Sequence, residues 1–313
     1  MSARVLSVGG AILDVLCLSH DDPIPGTSNP GRITTAAGGV ARNFAENLAR
    51  LGTPVSLISA LADDPAGIAV QARCVDAGID MEHVVAAGHG TGIYSAILTP
   101  EGELSVAISD LAATEEITLD QTVTATDRLS AQDIVFVDGN LRPEVAEGIL
   151  AAAHRAGART IAEPVSVPKA QRLRAALVAQ PPWLVTPNIE ELVALTGGPV
   201  NYARVGESAA RLLDLGVTYV WVRLGRSGSA LSWRDEAGEV SSLAFAAPVV
   251  PVTNVTGAGD AMTAGFIHAL LRGSTPAAAA AYGHIVSALT VASGEVVRSD
   301  LSEALVAESG GSL

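Results

Sequence analysis

Hydrophobic residues along the chain form two repeating patterns, short continuous runs and longer stripes at helical spacing. Residues 4–8 form a short apolar run, which predicts a buried strand. Residues 39–51 carry an apolar stripe that stops at Gly52, which predicts an amphipathic helix. Further strands are predicted at 55–60, 134–137, 160–161, 183–186 and 219–223, and further helices at 68–77, 143–156, 169–178, 190–196, 207–215, 259–272 and 276–292. Because strands alternate with helices, we expect an α/β protein: one three-layer α/β/α sandwich with a mainly parallel central sheet, spanning residues 1–313.

Two segments interrupt this alternation and predict a small β lid. Residues 15–36 are polar and rich in proline, whereas residues 91–110 alternate between the two faces of a strand and turn at Gly102. The second segment therefore predicts an antiparallel hairpin. We expect the lid to lie over the carboxyl ends of the main strands, and its open strand edges favour a homodimer formed through the lids.

Composition limits the class of partner. With 49% hydrophobic residues and a mean hydropathy of +0.37, the 313 residues can bury a large core and are not mainly disordered. The net charge of −14 and the 4% of aromatic residues argue against binding to nucleic acid or to an anionic membrane. Lys169 is the only lysine, so an anionic ligand has to be held by arginine, backbone N–H groups or a metal.

The spacing of the cysteines and the lengths of the apolar runs favour a cytoplasmic protein. Cys17 and Cys74 form no metal-binding or redox spacing and are typical of core residues in a reducing compartment. The first residues contain no apolar run of signal-peptide length, and the alanine-rich run 277–292 is too short and too polar to span a bilayer. We therefore expect a cytoplasmic protein that acts on a small molecule.

The strongest chemical motif is Thr256-Gly257-Ala258-Gly259-Asp260, directly before an apolar helix. Glycines let consecutive N–H groups face one point, and the helix N-terminus adds partial positive charge, so the motif predicts an anion site. An acidic side chain would repel a phosphate there, unless it removes the proton from a hydroxyl that attacks the phosphate. The alternative is that Asp260 only caps the helix after a tight turn.

A glycine pair and two polar residues near the N-terminus predict a site for hydroxyl groups. Gly38 and Gly39 precede a helix and allow close approach of a ligand, and Asn43 on its first turn can both donate and accept hydrogen bonds. Asp14 follows the first strand, where α/β sheets bind ligands. Each residue by itself also fits a structural role in a turn or a cap.

Two later motifs fit the handling of phosphate. Asn188 and Glu191 lie at a strand-to-helix junction, where an acidic residue either stabilises the first helical turn or supplies the carboxylate that Mg²⁺ prefers, often through water. Arg223 ends a strand that leads into a turn with Gly225 and Gly228.

Taken in order along the chain, these motifs resemble the ribokinase-like (PfkB) family of carbohydrate and nucleoside kinases. The resemblance covers nearly the whole chain, from the glycine pair and Asp14 to the Gly-Ala-Gly-Asp motif. It implies a ribokinase-like fold and the transfer of a phosphoryl group from ATP, with Mg²⁺, to a hydroxyl group of a small molecule.

The resemblance also implies a role for each motif. By this resemblance the catalytic base is Asp260, and the anion hole is formed by Gly257, Ala258 and Gly259. It implies that sugar hydroxyls are bound by Asp14, Gly38, Gly39 and Asn43. It also implies that phosphate and Mg²⁺ are organised by Asn188 and Glu191 (Glu191 through water), and that the nucleotide is bound by Arg223, Gly225 and Gly228. Family members often need K⁺ beside the anion hole, which here falls at Asn254 and Thr256. The family's usual aspartate is Asn254 in this chain, which keeps an amide oxygen but lacks the charge.

Within the family, residues 38–52, 163–173 and 254–262 resemble the pseudouridine kinases. This implies phosphorylation of the 5′-hydroxyl of pseudouridine, with ribose, another nucleoside or a ketose as alternative substrates. Recognition of the base needs a polar group near the lid, for which Asp110 and Tyr94 are candidates; a turn residue and a lid-core residue are the alternatives. A binding regulator without turnover has no need for Asp260, and a dinucleotide-dependent oxidoreductase would carry GxGxxG after the first strand, which this chain lacks.

Overall fold

The computed structural model describes residues 3–201 and 204–313. The strands in chain order are β1 Val5–Val8, β2 Ile12–Ser19, β3 Gly31–Gly38, β4 Val55–Ile58, β5 Ala60–Leu61, β6 Val85–Ala86, β7 Ile93–Leu98, β8 Leu104–Asp110, β9 Ile134–Asp138, β10 Arg159–Glu163, β11 Leu184–Val185, β12 Tyr219–Arg223, β13 Ser229–Arg234 and β14 Val240–Phe245. The helices are α1 Val40–Arg50, α2 Pro65–Asp76, α3 Ala112–Glu115, α4 Leu119–Thr126, α5 Pro143–Ala156, α6 Val167–Ala179, α7 Ile189–Thr196, α8 Val205–Leu213, α9 Ala258–Leu271, α10 Pro276–Ser293 and α11 Glu303–Glu308.

Eight strands form the central sheet, in the order β14-β13-β12-β11-β10-β9-β1-β4. Neighbouring strands are parallel from β12 to β4, while β13 and β14 add an antiparallel edge that the sequence pattern does not predict. The carboxyl ends of the parallel strands therefore meet at one edge, where ligands bind in α/β folds. The mainly parallel sheet confirms the predicted fold class.

Each long parallel strand is buried on both faces because helices pack on both sides of the sheet. In β9, the ring of Phe136 stacks on Phe44 of α1, with 4.1 Å between ring centroids. Val135 and Val137 face the opposite core, which α5 covers. A strand with two buried faces reads as a continuous apolar run, as the sequence shows here. The two helical layers confirm the predicted three-layer sandwich.

Four strands form a second, smaller sheet, the lid, in the order β3-β2-β7-β8. The antiparallel pair β7 and β8 confirms the hairpin predicted in residues 91–110. The other two strands of this sheet, β2 and β3, begin at Ile12 and end at Gly38, so they extend beyond the polar segment 15–36 at both ends.

The register of the lid sheet decides which side chains face the central sheet. Asp14 lies opposite Tyr94, and Tyr94 lies opposite Ser109, so these three side chains form one row on one face. The neighbouring row pairs Ile93 with Asp110 and lies on the other face, because successive side chains of a strand alternate.

Helix positions agree with the pattern better than helix ends do. The helix predicted at 68–77 begins at Pro65, because the side chain of Asp64 accepts a hydrogen bond from Gly67 N at 2.7 Å and caps an earlier turn. The short helices α3, α4 and α11 have too few turns for the apolar spacing to predict them. Across the described ranges, no helix is both long and apolar enough to cross a membrane.

Candidate active site

A cavity of 690 Å³ lies between the carboxyl ends of the central strands and the inner face of the lid. We call it the substrate cavity. Of the predicted site residues, it is lined by Asp14, Gly39, Asn43, Tyr94, Asn188, Glu191, Arg223, Thr256, Gly257, Gly259 and Asp260. The fold thus gathers around one space residues that are dispersed along most of the chain.

Asp260 is a buried carboxylate on the first turn of α9, with 8% of its surface exposed. Its Oδ2 accepts a hydrogen bond from Asn43 Nδ2 at 2.7 Å. Burial, helped by the nearby charge of Glu163, raises the pKa of Asp260 to about 7, although Asn43 and Arg223 act in the opposite direction. A carboxylate with a pKa near neutrality can take a proton from a hydroxyl, as a general base must.

The glycines before Asp260 bring the backbone close to the cavity. Gly257 has a φ of 80°, a left-handed conformation that favours glycine, and a side chain there would overlap the carbonyl oxygen of Val296. A side chain at Gly259 would overlap the guanidinium group of Arg223. The N-terminal N–H groups of a helix lack partners within the helix, so this end of α9 can bind an anion.

Asn43 is held in place by Arg42, a fully buried arginine. The guanidinium group of Arg42 donates hydrogen bonds to Asn43 Oδ1, to Glu46 and to the carbonyl oxygen of Gly38. Because its oxygen is occupied in this way, Asn43 presents its Nδ2 group to Asp260. In this structure Asn43 therefore orients the buried carboxylate, a contact that the sequence does not predict.

Asp14 lies on the inner face of the lid, close to Gly38. A side chain at Gly38 would overlap the carboxylate of Asp14, so the glycine makes room for it without itself lining the cavity. Burial raises the pKa of Asp14 to about 6, with the charge of Arg42 acting in the opposite direction. Tyr94 and Ser109 lie in the same row and also line the cavity.

Asp110 lies outside the substrate cavity, although Ser109 and Leu111 on either side line it. Its side chain is exposed on the opposite face of β8, and its Oδ1 accepts a hydrogen bond from Ala112 N at 3.2 Å. The strand alternation therefore turns Asp110 away from the space in which the sequence interpretation places it.

Arg223 joins two buried carboxylates at the end of the central sheet. Its Nη2 atom lies 2.6 Å from Glu163 Oε1 and 3.3 Å from Glu191 Oε2. Asn188 caps α7 and forms a reciprocal pair with Glu191, since each backbone N–H donates to the other side chain at 2.8 Å. Burial and the charge of Glu163 raise the pKa of Glu191. Asn188 and Glu191 are thus fixed rigidly at the cavity wall.

A second cavity of 460 Å³ adjoins the first one; we call it the apolar cavity. Gly225 and Gly228 line it in the turn after β12, and Gly228 has a φ of 94°. Its wall is mainly apolar, with Ala247, Pro248, Val249, Val250, Val252, Val255, Ala258, Met262, Ala288 and Val291. Arg223 and Gly259 line both cavities.

The loop in which the family resemblance implies a potassium site is ordered by its own residues. Asn254 Oδ1 accepts a hydrogen bond from Thr256 N at 2.9 Å, which fixes the turn before Gly257. Thr256 lines the substrate cavity and Asn254 does not.

Sequence reasoning missed several residues of the cavity wall, and also Asp138, which does not line the cavity itself. Asp138 is completely buried at the end of β9, where its carboxylate accepts hydrogen bonds from Gly10 N at 2.9 Å and Ala41 N at 3.1 Å. Asn140 and Lys169 line the cavity beside it. The signal that could have identified this part of the cavity wall is an Asp at the end of an apolar strand, followed two residues later by an Asn.

Comparison with known proteins identifies the family of this chain. Residues 2–303 match the model of the pfkB family carbohydrate kinases, and the chain belongs to this family. It is therefore a phosphotransferase that acts on a hydroxyl group of a small molecule.

The relatives are kinases of sugars and nucleosides. A pseudouridine kinase of Escherichia coli strain K12 is 31% identical over 264 residues, covering 83% of this chain and 82% of the relative. A carbohydrate kinase from Agrobacterium tumefaciens has a TM-score of 0.82 at 29% identity and covers 99% of this chain and 97% of its own. Ribokinase of Arabidopsis thaliana, solved with ribose and ATP, shares the fold with a TM-score of 0.78 at 23% identity, over 95% of both chains.

Proposed function

We propose that this protein phosphorylates the 5′-hydroxyl of pseudouridine with ATP and forms pseudouridine 5′-phosphate and ADP. The observation that carries the proposal is the position of Asp260, a buried carboxylate at the start of α9 where the substrate cavity and the apolar cavity meet. Arg223 and Gly259 border both cavities. A phosphoryl donor in one cavity and a hydroxyl acceptor in the other would therefore meet at this helix N-terminus.

The residues at this junction can perform the transfer. The acceptor hydroxyl oxygen forms a bond to the γ-phosphorus of ATP, and the bond between that phosphorus and the bridging oxygen of ADP breaks. The carboxylate of Asp260 takes the hydroxyl proton, which its pKa of about 7 permits near neutral pH. The N–H groups at the start of α9 stabilise the negative charge of the transferring group.

The apolar cavity fits the base of the nucleotide. Its valine and alanine side chains can cover an aromatic ring, and the glycines of the turn at Gly225 and Gly228 allow the backbone to approach the sugar and phosphates. Arg223 lies between this cavity and the transfer site, where a guanidinium group suits phosphate oxygens.

Mg²⁺ fits the wall at Glu191 through water rather than by direct ligation. Among the described residues, no group of three or more acidic, histidine or cysteine side chains could hold a metal ion. Glu191 already accepts hydrogen bonds from Asn188 N and from Arg223, and a carboxylate has further lone pairs for metal-bound water. When bound with ATP, Mg²⁺ would neutralise charge on the triphosphate.

The metal assignment predicts the behaviour of a matched pair of variants. EDTA should abolish activity and Mg²⁺ should restore it. Glu191→Gln should shift the Mg²⁺ titration to higher concentration, while Glu190→Gln, an exposed neighbour on the same helix turn, should leave it unchanged. Equal titrations for both variants would remove Glu191 from the metal site.

We propose that a monovalent cation binds only weakly near Thr256, because Asn254 carries no charge.

Pseudouridine is proposed as the substrate because the sequence stretches similar to pseudouridine kinases line this site, and because one relative of that name matches most of the chain. Pseudouridine and uridine share the ribose and the 5′-hydroxyl, so only the base can distinguish them. Pseudouridine has an additional ring N–H group. An acceptor that binds this group is left unpaired when uridine binds, which weakens the binding of uridine and gives selectivity for pseudouridine. Tyr94 and Ser109 are lid residues with hydroxyl groups that line the cavity.

A substrate panel tests the proposal directly. Purified enzyme, ATP and Mg²⁺ are combined with pseudouridine, uridine, inosine, ribose or fructose, and the release of ADP is measured. We expect kcat/KM for pseudouridine to exceed that for uridine by at least about tenfold, as one lost hydrogen bond implies. A higher kcat/KM for ribose or fructose than for any of the three nucleosides would reject pseudouridine and keep the kinase chemistry.

The outer face of the lid fits a second copy of this chain. Ile33, Ile97, Val106 and Ile108 lie on this face, with exposed fractions of 68%, 39%, 52% and 73%. Strands β3 and β8 are the edges of the lid sheet. Apolar surface beside open strand edges favours self-association, so we propose a homodimer formed through the lids.

Cys17 and Cys74 are unpaired, which fits the proposed cytoplasmic location.

A further inference from the structure

Lys169, the only lysine of the chain, lies in the substrate cavity. Its Nζ atom donates a hydrogen bond to Asn140 Oδ1, and Asn140 also lines the cavity. The other cation of the cavity wall, Arg223, is held between Glu163 and Glu191. Within residues 3–201 and 204–313, Lys169 forms no ion pair with a carboxylate, so two of its three N–H donors stay available to a ligand.

The turn that precedes α6, the helix that carries Lys169, has an unusual backbone. Val165 has a φ of 69°, the only left-handed conformation of a non-glycine residue in the described part of the chain. A β-branched residue adopts this conformation at a cost, and such residues concentrate at functional sites. Glu163 Oε1 accepts a hydrogen bond from Val165 N at 3.2 Å and anchors the turn. The turn therefore lies between Glu163, which pairs with Arg223, and Lys169.

Lys169 and Asp260 lie on helices that pack against opposite faces of the central sheet. Helix α6, which carries Lys169, contributes Leu173 to one hydrophobic core, and α9, which carries Asp260, contributes Phe266 to the other. Both side chains line the cavity, so they face it from opposite sides. A substrate whose hydroxyl reaches Asp260 would therefore place its opposite end beside Lys169 and Asn140.

We propose that Lys169 and Asn140 form the subsite for the base of a nucleoside, and that this subsite selects bases with a carbonyl oxygen. The inference rests on the proposed function, since it assumes that the transferred phosphoryl group is received at Asp260. Lys169 can only donate hydrogen bonds, and the amide N–H₂ group of Asn140, which also bonds Asp138, has a further N–H donor, so the subsite is rich in donors. A pyrimidine with two carbonyl oxygens offers an acceptor to each of the two residues, and a free pentose carries no such base.

Charge at this end of the cavity favours a neutral acceptor over a phosphate group. The carboxylate of Asp138 acts on Lys169 and offsets its charge. Arg172, on the same helix, is paired with Glu115 at 3.1 Å and does not line the cavity. One lysine beside a carboxylate is a poor site for a dianion, which binds best where several cations meet.

Because the chain has one lysine, chemical labelling can test the subsite in the wild-type enzyme. Burial lowers the pKa of Lys169, which increases its neutral, reactive fraction near pH 8. The protein is treated with an amine-acylating ester, and the modification at Lys169 is measured by peptide mass spectrometry. Pseudouridine without nucleotide should slow the labelling at least about tenfold at saturation, while ribose should not. Protection by ATP or by fructose 6-phosphate but not by pseudouridine would show a phosphate site and overturn the proposal.

A matched pair of variants tests the same subsite by kinetics. Lys169→Met keeps most of the length of the side chain and removes its positive charge, and Arg172→Met removes the same charge from the same helix outside the cavity. We expect Lys169→Met to raise KM for pseudouridine by about tenfold or more and to leave KM for ATP unchanged, as the loss of a base contact implies. Arg172→Met should leave both values near those of the wild type. Equal effects of the two variants would overturn the proposal, because the effect would then come from the charge of α6 alone.

The two hypotheses fail in different ways. If the wild-type enzyme phosphorylates ribose or fructose better than any nucleoside, the proposed substrate is wrong. If it prefers nucleosides, but Lys169→Met lowers kcat/KM for ribose and for pseudouridine by the same factor, the function stands and the base subsite is wrong. An equal loss for both substrates could not come from a contact that only the base makes.

Discussion

The central sheet and the lid sheet bury their strands in opposite ways. All residues of β9 are buried, whereas Ala107 is the only residue of β8 that is not exposed. The central strand is fixed by helices on both faces, and its carboxyl end holds Asp138 completely buried. The lid strand has one face on a cavity and the other on solvent. We propose that this difference separates two tasks: the central sheet and its helices position the groups for phosphoryl transfer, and the lid covers the substrate.

The cavity wall reflects this division. Asp260, Arg223 and Glu191 belong to the central sheet or its helices, where buried hydrogen bonds and ion pairs hold them. Asp14 and Tyr94 belong to the lid. Changes in the first group should therefore lower the rate of transfer, and changes in the second should alter the binding of the substrate. We order the tests of this division from the largest expected effect to the smallest.

Replacing the base should give the largest loss. Asp260→Asn keeps the size of the side chain but cannot take a proton, so kcat should fall by roughly 10²–10⁴. The dissociation constant of ATP should change little, because the apolar cavity stays intact. Steady-state kinetics and nucleotide titration measure the two effects. A kcat within a few-fold of the wild type would mean that Asp260 only caps α9.

A pair of truncations compares the stability of the two sheets. Phe136→Ala removes a buried ring stacked on Phe44 and should lower the free energy of unfolding by about 3–5 kcal/mol. Ile108→Ala, in the exposed face of the lid, should change it by less than about 0.5 kcal/mol. The tryptophans lie in or beside the central sheet, so their fluorescence during denaturation reports on that sheet; they are Trp183, Trp221 and Trp233.

The same lid variant tests the proposed dimer. Ile108→Ala should weaken self-association, measured by sedimentation at several protein concentrations. A large loss of stability in Ile108→Ala without any change of association would contradict both the division between the sheets and the dimer through the lids.

Replacing the lid carboxylate should mainly affect binding. Asp14→Ala removes a half-buried hydrogen-bond acceptor, which costs about 1–3 kcal/mol of binding free energy. KM for the ribosyl substrate should rise by roughly tenfold or more, while KM for ATP and kcat change less. Equal losses for substrate and nucleotide would mean that Asp14 supports the fold rather than the substrate.

The raised pKa values predict a dependence on pH in the physiological range. Since Asp260 must be ionised to accept a proton and its pKa is about 7, kcat/KM should fall as pH decreases below about 7 and level off above it. Protonation of Asp14, with a pKa of about 6, should steepen the fall at lower pH. A flat profile between pH 6 and 8 would contradict the assignment of the base.

The stability of the protein should show the opposite trend over this range. Between the ordinary pKa of 3.8 and the raised value of about 7, the folded protein binds more protons at Asp260 than the unfolded chain does. The contribution of this group to the free energy of unfolding therefore falls as pH rises through that window. Asp260→Asn should remove this part of the decrease, which denaturation at pH 5 and pH 8 can measure.

The amino-acid sequence by itself determined the layered α/β fold and the elements that carry the chemistry. Strands such as β9 are buried on both faces, so their apolar runs are visible without any partner, and α5 and β12 begin and end at the predicted residues. The sequence also places Asp260 after a glycine turn at a helix start, because local backbone requirements are written in adjacent residues.

Only the tertiary structure decided which side chains meet. Whether Asp110 or Ser109 faces the cavity depends on the lid register, which shifts every side chain when it moves by one residue. The bond from Asn43 to Asp260, the ion pairs of Arg223, and the position of Lys169 beside Asn140 join residues from distant parts of the chain. Such contacts arise from the packing of whole elements, and no local spacing of residues encodes them.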